Sequence, residues 1–227
     1  MEQERSFLRP ADIERESMRI IGEELAQRGL ALAPGTEAVV KRVIHTTADF
    51  DYADNLRFTQ GAVEAAVTAL RAGASIVTDT NMARAGISKA ALSRLGGEAL
   101  CFMADPEAAQ AAKARGVTRA AVCMERAAAE CPGGALAVGN APTALLKLCE
   151  LMEGGLRPAF VVAVPVGFVN VVESKERALA ACERYGVPCI AALGRKGGSN
   201  VAAAICNALL YAALDATDPG RRQETLS

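Results

Sequence analysis

The sequence predicts an α/β domain that carries helices on both faces of a mainly parallel sheet. Helical periodicity fills roughly the first 72 residues, and beyond residue 73 short apolar runs alternate with helical patterns. Such alternation is typical of parallel sheets that are buried on both faces. We expect one domain over residues 1–214, with a helical part at 1–72, a doubly wound sheet at 73–214 and a polar tail at 215–227.

Three helices are predicted in the N-terminal part. The first runs from Pro10 to Gly29. Its inward stripe comprises Ile13, Ser17, Ile20, Ile21 and Leu25. The second follows Thr36, a residue type that favours a helix start, and carries an apolar stripe ahead of His45. The third covers residues 59–71.

Five strands and six helices are predicted in the second part of the chain. The strands lie at 74–78, 98–103, 135–138, 159–164 and 189–193. The helices lie near 88–95, 106–115, 118–130, 142–153, 173–185 and 199–214. Five strands in this arrangement favour a flavodoxin-like doubly wound sheet. The polar composition from Asp215 onward predicts a frayed tail.

The composition argues against several classes of protein. A net charge of −1 and an aromatic content of 4%, with no Trp, argue against a nucleic-acid-binding protein. No apolar run approaches the roughly 20 residues that cross a bilayer, and the charged segment MEQERSFLRP does not form a secretory signal. Seven cysteines without a C-x-x-C pair, and one histidine, argue against a disulfide framework and a zinc site. We therefore expect a cytoplasmic protein that binds no metal, membrane or nucleic acid.

Polar residues collect after the predicted strands, where open α/β sheets bind ligands. Two segments are suited to anions, because each turns on glycine and then enters a helix. They are 139–143 and 194–200, the latter with Arg195 and Lys196 beside its glycines. Free backbone N–H groups and a positive helix end would bind carboxylate or phosphate there. A pair of ordinary helix caps explains the same pattern equally well.

His45 is the only histidine of the chain. A lone histidine more often has a structural role. The functional interpretation is a single acid–base group, because histidine titrates nearest to neutral pH. Ser17 is a hydroxyl on an apolar stripe, so it needs a partner from the backbone or a ligand, and Arg15 could turn toward a ligand near it.

Six blocks spread over residues 10–212 share a family pattern. They are IERESMRII, RVIHTTADFDYADNLRF, GASIVTDTNMARAGIS, VGNAPTALLKL, VPVGFVNVVESKE and GRKGGSNVAAA. Together they resemble the precorrin-8X methylmutase family. The stretch HTTADFDYADNL is more similar to its cobalt-dependent branch, the cobalt-precorrin-8 methylmutases. Asn170 departs from the family pattern, which has a small residue, often Gly, at that position.

The resemblance implies a fold and an activity. It implies a flavodoxin-like homodimer with sites near the subunit interface, and an isomerase of cobalamin biosynthesis that needs no cofactor. The implied reaction moves a methyl group between adjacent ring C carbons of precorrin-8 or cobalt-precorrin-8, giving hydrogenobyrinate or cobalt-cobyrinate. The catalytic histidine of the family falls on His45, its substrate-binding serine on Ser17 and a substrate-facing arginine on Arg119. Any cobalt belongs to the substrate, and neighbouring enzymes of the corrin pathway are candidate partners.

Twelve residues are candidates for binding the substrate, from the resemblance or from their place after a strand or at a helix start. They are Ser17, Arg15, Thr80, Asn81, Ser88, Arg119, Gly139, Asn140, Gly167, Arg195, Lys196 and Ser199. One histidine suffices for the implied chemistry, since a proton donated to a ring nitrogen withdraws electrons and assists migration. Two other functions stay open: a non-catalytic corrinoid carrier, and a flavin or nucleotide protein, which the missing nucleotide fingerprint disfavours.

Overall fold

Six strands form one sheet in the computed structural model, which describes residues 9–226. The strands are β1 (Leu56–Phe58), β2 (Ile76–Thr78), β3 (Ala99–Leu100), β4 (Ala135–Val138), β5 (Val161–Ala163) and β6 (Cys189–Ala192). The helices are α1 (Pro10–Gln27), α2 (Glu37–Thr47), α3 (Tyr52–Asn55), α4 (Ala62–Arg71), α5 (Asn81–Gly86), α6 (Lys89–Arg94), α7 (Pro106–Arg115), α8 (Arg119–Glu130), α9 (Pro142–Glu153), α10 (Val171–Tyr185), α11 (Ser199–Ala213) and α12 (Pro219–Leu226). Residues 1–8 and 227, the ends of the predicted domain and tail, lie outside the described residues.

The sheet is mainly parallel, in the order β1-β6-β5-β4-β2-β3. Strands β2 to β6 pair in parallel, whereas β1 runs antiparallel to β6, with Leu56 opposite Ala192. The predicted α/β class is confirmed, and each predicted strand contains an observed one. The strand count of five and the all-helical N-terminal part are wrong, because β1 lies within residues 1–72. A strand of 3 residues is too short to show the alternation that marks a strand in sequence.

Alternate residues of β2, β4, β5 and β6 face two separate hydrophobic cores. In β4, Ala135 and Ala137 belong to the core that contains α2, α4 and α11, whereas Leu136 and Val138 belong to the core that contains α8, α9 and α10. Because helices cover both faces, β2, β4, β5 and β6 are buried on both sides and are short, mostly apolar runs in the sequence, whereas β1 at the sheet edge exposes Arg57. The carboxyl ends of the parallel strands meet at one edge of the sheet, where the polar loops lie.

Small residues let helices of the first core approach closely. Helix α11 is buried along most of its length and packs against α2, α4 and α5. A Cβ added at Gly86 of α5 would lie 2.8 Å from the Cβ of Ala203 in α11. Helix α2 is therefore seated on the most buried helix, which fixes the backbone that carries His45.

Helix α1 is less buried than its apolar stripe predicts. Ile13 and Ile20, which we expected to face inward, are 50% and 47% exposed, while Ile21 and Leu25 are buried. The helix packs mainly on α2 and α12. A narrow stripe is enough to attach it there, so the rest of its apolar surface stays open.

The expectation of a frayed C-terminal tail is wrong. Residues Pro219–Leu226 form α12, and Arg222 is 9% exposed. Ion pairs of Asp218 and Arg222, the stacking of Arg222 on the Tyr211 ring and the packing of Leu226 on the first core attach this polar segment to the domain. Within residues 9–226, no helix combines the length and the apolar character that crossing a membrane requires.

Candidate active site

His45 of α2 and Ser17 of α1 form a hydrogen-bonded pair. Ser17 Oγ lies 2.8 Å from His45 Nδ1. The partner of Ser17 is therefore a side chain, where we expected the backbone or a ligand. Among residues 9–226 no hydrogen bond occupies the other ring nitrogen. When the serine hydroxyl donates to Nδ1 of the neutral ring, the proton lies on Nε2, which is available to a ligand.

His45 opens into a surface depression of about 380 Å³. The other residues of its wall are Ser17, Ile20, Ile21, Glu24, Arg28, Ile44, Ala48 and Phe50. The guanidinium of Arg28 stacks over the Phe50 ring at 4.4 Å. Ala48 ends α2 in the left-handed conformation, with a φ of 55°, and turns the chain aside just after the histidine. The imidazole thus lies at the rim of an open hollow whose wall combines apolar with charged side chains.

Burial lowers the pKa of His45. The cations Arg42 and Arg222 lower it further, whereas the carboxylate of Glu14 raises it. The ligand-free protein therefore holds more neutral imidazole near pH 7 than a fully solvated histidine would. An anionic ligand in the depression would shift this balance back toward the protonated ring.

Charged side chains of three helices meet one turn away from the pair. Glu14 of α1 accepts hydrogen bonds from Arg42 of α2 at 2.5 Å and from Arg222 of α12 at 2.8 Å. The two arginines flank Tyr211 of α11, with their guanidinium carbons 5.4 and 3.8 Å from the ring centre. This cluster joins the two helices that carry Ser17 and His45 to the C-terminal helix.

Arg15 does not turn toward Ser17. Its guanidinium pairs with Asp12 at 2.8 Å and with Asp218 at 3.2 Å. Arg15 and Ser17 are two positions apart, so on a helix their side chains leave in nearly opposite directions. The expected approach of Arg15 to a ligand beside Ser17 is therefore absent from this arrangement.

A buried carboxylate organises the turn after β4. Asp79, which is 1% exposed, accepts hydrogen bonds from the backbone N–H groups of Gly139, Asn140 and Ala141 at 2.8, 2.8 and 2.7 Å. Burial raises the pKa of Asp79, and these bonds oppose that shift. The turn at 139–143 does bind an anion, but the anion is a side chain of the same molecule. The expectation that Gly139 and Asn140 offer free N–H groups to a substrate is therefore wrong.

Four further candidates, which lie at the starts of helices, serve the framework or the surface. Thr80 Oγ1 caps α5 and lies 2.8 Å from Ser199 Oγ at the start of α11. Ser88 Oγ caps α6. Asn81 is the first residue of α5 and is exposed. The hydroxyls of Thr80, Ser88 and Ser199 thus have partners within the chain, which the sequence pattern alone did not indicate.

Lys196 ties the 194–200 segment to the chain that follows α2. Its Nζ lies 2.6 Å from Asp49 Oδ2 and 2.6 Å from Asp51 Oδ2. These carboxylates raise the pKa of Lys196 and neutralise its charge. Lys196 therefore differs from the unpaired cation that we expected at an anion site, although it does join this loop to the histidine helix.

The glycines of this segment allow close packing rather than an open cradle. A Cβ at Gly197 would collide with the carbonyl oxygen of Val164. Beneath the loop, the fully buried Lys175 donates to the carbonyls of Gly194 and Lys196 at 2.9 and 2.7 Å, and burial lowers its pKa to about 8. Sequence reasoning missed Lys175, because the run ESKE is typical of a solvated helix face.

An exposed apolar loop follows β5 and lies beside Arg195. Phe168 and Val169 are 82% and 78% exposed, and the Arg195 guanidinium lies 5.4 Å from the Phe168 ring centre. Gly167 and Asn170 have φ angles of +146° and +56°. Asn is among the few non-glycine residues that tolerate positive φ. This explains how Asn170 can stand where the family pattern has a small residue.

Arg119 begins α8 on the opposite face of the sheet from His45. It is exposed, and its Nη1 donates to the carbonyl of Met103 at 3.1 Å. Helix α2 contributes to one core and α8 to the other. The two candidates therefore lie on different faces of the sheet, each on its own helix.

Replacing Ser17 with alanine should lower kcat about three- to tenfold. A neutral hydrogen bond contributes roughly 0.5–1.5 kcal/mol, and each 1.4 kcal/mol corresponds to about tenfold in rate. Thermal stability should change little, because the hydroxyl is only partly buried. Ser93→Ala, which removes an exposed hydroxyl of α6, is the matched control for both assays. A large fall in melting temperature with unchanged kcat would assign Ser17 to structure alone.

Known proteins match this architecture over most of its length. A family model described as precorrin-8X methylmutase matches residues 12–212. A cobalt-precorrin-8 methylmutase from Salmonella typhimurium is 47% identical over 206 residues, covering 89% of this chain and 95% of that protein. One from Methanothermobacter thermautotrophicus is 40% identical over 205 residues, covering 90% and 94%. A crystal structure of precorrin-8x methyl mutase from Thermus thermophilus superimposes with a TM-score of 0.79 at 42% identity, covering 89% and 98% of the two chains.

Proposed function

The chain belongs to the precorrin-8X methylmutase family, and we propose that His45 is the proton donor of its reaction, with cobalt-precorrin-8 as the substrate. The protein is an isomerase of cobalamin biosynthesis that moves a methyl group within one corrinoid molecule. The observation that carries the proposal is the Ser17–His45 pair at the rim of an open depression. The 47% identity to a cobalt-precorrin-8 methylmutase favours the cobalt-containing substrate.

The proposed reaction is an intramolecular rearrangement at ring C. The bond from the methyl group to one ring carbon breaks while the bond to the adjacent carbon forms, and no outside group enters. The protonated imidazole of His45 donates its Nε2 proton to a ring nitrogen, which draws electrons from the migrating centre, and the neutral imidazole takes the proton back afterwards. Ser17 holds the ring through Nδ1, so that Nε2 keeps one direction.

The lowered pKa of free His45 fits this role once the substrate is considered. The corrinoid carries acetate and propionate carboxylates, whose negative charge favours the protonated imidazole. Binding of the substrate would therefore raise the pKa of His45 and favour the protonated imidazole that donates the proton. In the unliganded protein, burial and then the cations Arg42 and Arg222 lower the pKa of His45 and so favour the neutral imidazole.

Recognition of the carboxylates is proposed to rest on arginines rather than on backbone cradles. Arg195 is exposed and stacks near Phe168, which together offer a cation and an exposed aromatic ring to a macrocycle. Arg119 is exposed at the start of α8, where the helix end also favours negative charge. Lys196 is paired with Asp49, and the turn after β4 is hydrogen-bonded to Asp79. We therefore propose that these two elements hold the backbone around the site and do not bind the substrate carboxylates.

A homodimer is the proposed assembly. Large apolar side chains are exposed on α1 (Ile13 and Ile20, the latter in the wall of the depression) and in the loop after β5 (Phe168 and Val169). Apolar residues at this exposure support an interface that covers the depression and brings a second set of arginines to it. Light scattering at micromolar protein concentration tests this, and a mass near the 23.6 kDa of one chain would reject it.

The finer description of the fold and of the reaction conditions is also a proposal. The order β6-β5-β4-β2-β3 of the parallel strands supports the flavodoxin-like assignment, with β1 added at one edge. The reaction is proposed to run in the cytoplasm without a cofactor, any cobalt being part of the substrate.

Visible spectroscopy tests the proposed function. The purified protein is mixed with cobalt-precorrin-8 or with metal-free precorrin-8, because methyl migration changes the conjugation of the macrocycle and hence its absorption. Conversion of the cobalt form, with slower or no conversion of the metal-free form, is the expected result. Tight binding of both without conversion would overturn the proposal in favour of a corrinoid carrier.

Replacing Arg119 with alanine should weaken binding of the acidic corrinoid product by about 10- to 150-fold. A hydrogen bond to a charged group contributes roughly 1.5–3 kcal/mol, which corresponds to this range. Isothermal titration gives the affinity, and Arg94→Ala is the control because Arg94 is exposed where α6 leads into β3, at the amino edge of the sheet. Equal affinities for the two variants would show that Arg119 is an ordinary surface residue.

A further inference from the structure

The C-terminal helix reaches back to the helix that carries Ser17. Arg222 of α12 donates from Nη1 to both carboxylate oxygens of Glu14 at 2.8 Å. The same guanidinium donates to the carbonyls of Ala216 and Thr217 at 3.4 and 3.2 Å and stacks 3.8 Å from the Tyr211 ring. Arg222 is therefore fixed by several contacts and is not a solvated surface arginine.

Glu14 connects this anchor to the catalytic pair. Its carboxylate also receives Arg42 of α2 at 2.5 Å. Glu14 precedes Ser17 by one helical turn on α1, and Arg42 precedes His45 by one turn on α2. The Glu14–Arg42 ion pair and the Ser17–His45 hydrogen bond thus connect the same two helices one turn apart. A displacement of Glu14 along or away from α2 therefore also displaces Ser17 relative to His45.

We propose that α12 is a clasp for the active site, meaning that it holds α1 in place against α2. Arg222 is the positioning residue: it fixes Glu14, and because Glu14 and Ser17 lie on the same helix, it also fixes the Ser17 hydroxyl that orients His45. The inference rests on the proposed role of His45 in the reaction. Helix α12 lies beyond residues 12–212, the part of the chain that the family model matches. The clasp therefore assigns a task to a segment outside the methylmutase pattern.

The charges around His45 give the clasp a measurable signature. Arg42 on α2, Glu14 on α1 and Arg222 on α12 act on the imidazole, and Glu24 and Arg28 line the same depression. Removing Arg222 leaves the carboxylate of Glu14 less compensated, which favours the protonated ring. Removing the charge of Glu14 leaves two cations, which favours the neutral ring. The two changes thus move the titration of His45 in opposite directions.

Four variants test the clasp: Arg222→Gln, Arg222→Lys, Glu14→Gln and the control Arg221→Gln. Arg221 is the exposed neighbour on the same helix, so its variant makes the same charge change away from Glu14. Because the chain has one histidine, NMR follows the titration of His45 in the ligand-free protein without assignment. Thermal melting identifies any variant that fails to fold.

Arg222→Gln should raise the pKa of His45 and lower kcat about five- to tenfold, with KM changed less than twofold, since displaced catalytic groups lose rate. Glu14→Gln should lower that pKa. Arg222→Lys should restore the pKa and part of the rate, and Arg221→Gln should match the wild type. A purely structural helix would lower the melting temperature without these opposite shifts.

Two outcomes would overturn the clasp. One is that Arg222→Gln and Arg221→Gln have the same pKa of His45 and the same kcat. The other is a fall of the pKa in both Arg222→Gln and Glu14→Gln. The titration is measured without substrate, so it judges the clasp separately from the reaction. Full activity of a His45 variant would instead contradict the proposed function and leave the titration result standing.

Discussion

Replacing His45 with alanine should slow methyl migration by about 10²–10⁴, the usual contribution of a positioned acid–base group. Corrinoid binding should largely survive, because the proposed carboxylate contacts come from arginines on other elements. Single-turnover absorption measurements with cobalt-precorrin-8 give the rate of the chemical step. Equilibrium titration with the product gives the binding.

Thr46→Ala is a suitable control for the His45 variant. Thr46 is the exposed neighbour on α2, and its hydroxyl donates to the carbonyl of Arg42 rather than to the depression. Added imidazole should partly restore the reaction of His45→Ala, since the depression of about 380 Å³ is open to solvent and large enough to admit an imidazole molecule. Turnover of His45→Ala within about threefold of the wild type would contradict proton donation, since that loss is far below the expected range.

The pH dependence of the wild-type rate should also reveal whether His45 donates a proton. If protonated His45 is the active form, the rate falls as pH rises through its pKa. The pKa of free His45 is lowered, chiefly by burial, so kcat/KM should fall at a pH below the ordinary value for histidine. The carboxylates of the bound substrate raise the pKa, so kcat should fall at a higher pH. A rate that rises with pH instead would point to neutral His45 as the active form.

Much of the fold follows from local patterns that the sequence shows directly. The five parallel strands are apolar runs bounded by turn residues, and helix α9 begins at its predicted proline. Strand β1 escapes prediction because it is short and exists only through pairing with β6. Helix α12 escapes it because its attachment is an ion pair to α1, far away in sequence.

The candidate site was predictable in its residue types but not in its pairings. His45 and Ser17 stand out as the one histidine and as a hydroxyl on an apolar stripe, but only the packing of α1 on α2 makes them partners. The turn after β4 illustrates the same limit. Its N–H groups do bind an anion, as the glycine and helix start indicate, but Asp79 comes from the neighbouring strand. A carboxylate directly after a buried strand is the signal that could have revealed it.

Replacing Asp79 with alanine should lower the free energy of unfolding by about 3 kcal/mol. An unsatisfied buried donor costs roughly 1–3 kcal/mol, and the variant leaves the N–H groups of Gly139, Asn140 and Ala141 without their acceptor. Relief from burying the carboxylate offsets part of that loss. For a chain of this size, the expected change in melting temperature is a fall of about 6–12 °C.

The loss of Asp79 should also reach the active site, because the turn that it holds lies against the start of α11. A Cβ at Gly139 would lie 2.8 Å from the Cα of Ser199, so the turn and that helix are in tight backbone contact. Helix α11 in turn packs against α2, which carries His45. Asp79→Asn keeps one acceptor oxygen and should lose less stability than Asp79→Ala, and Asp54→Asn is the exposed control. Calorimetry and single-turnover rates measure both effects. Melting of Asp79→Ala at the temperature of the control would mean that water satisfies the turn equally well, and that the carboxylate does not hold it.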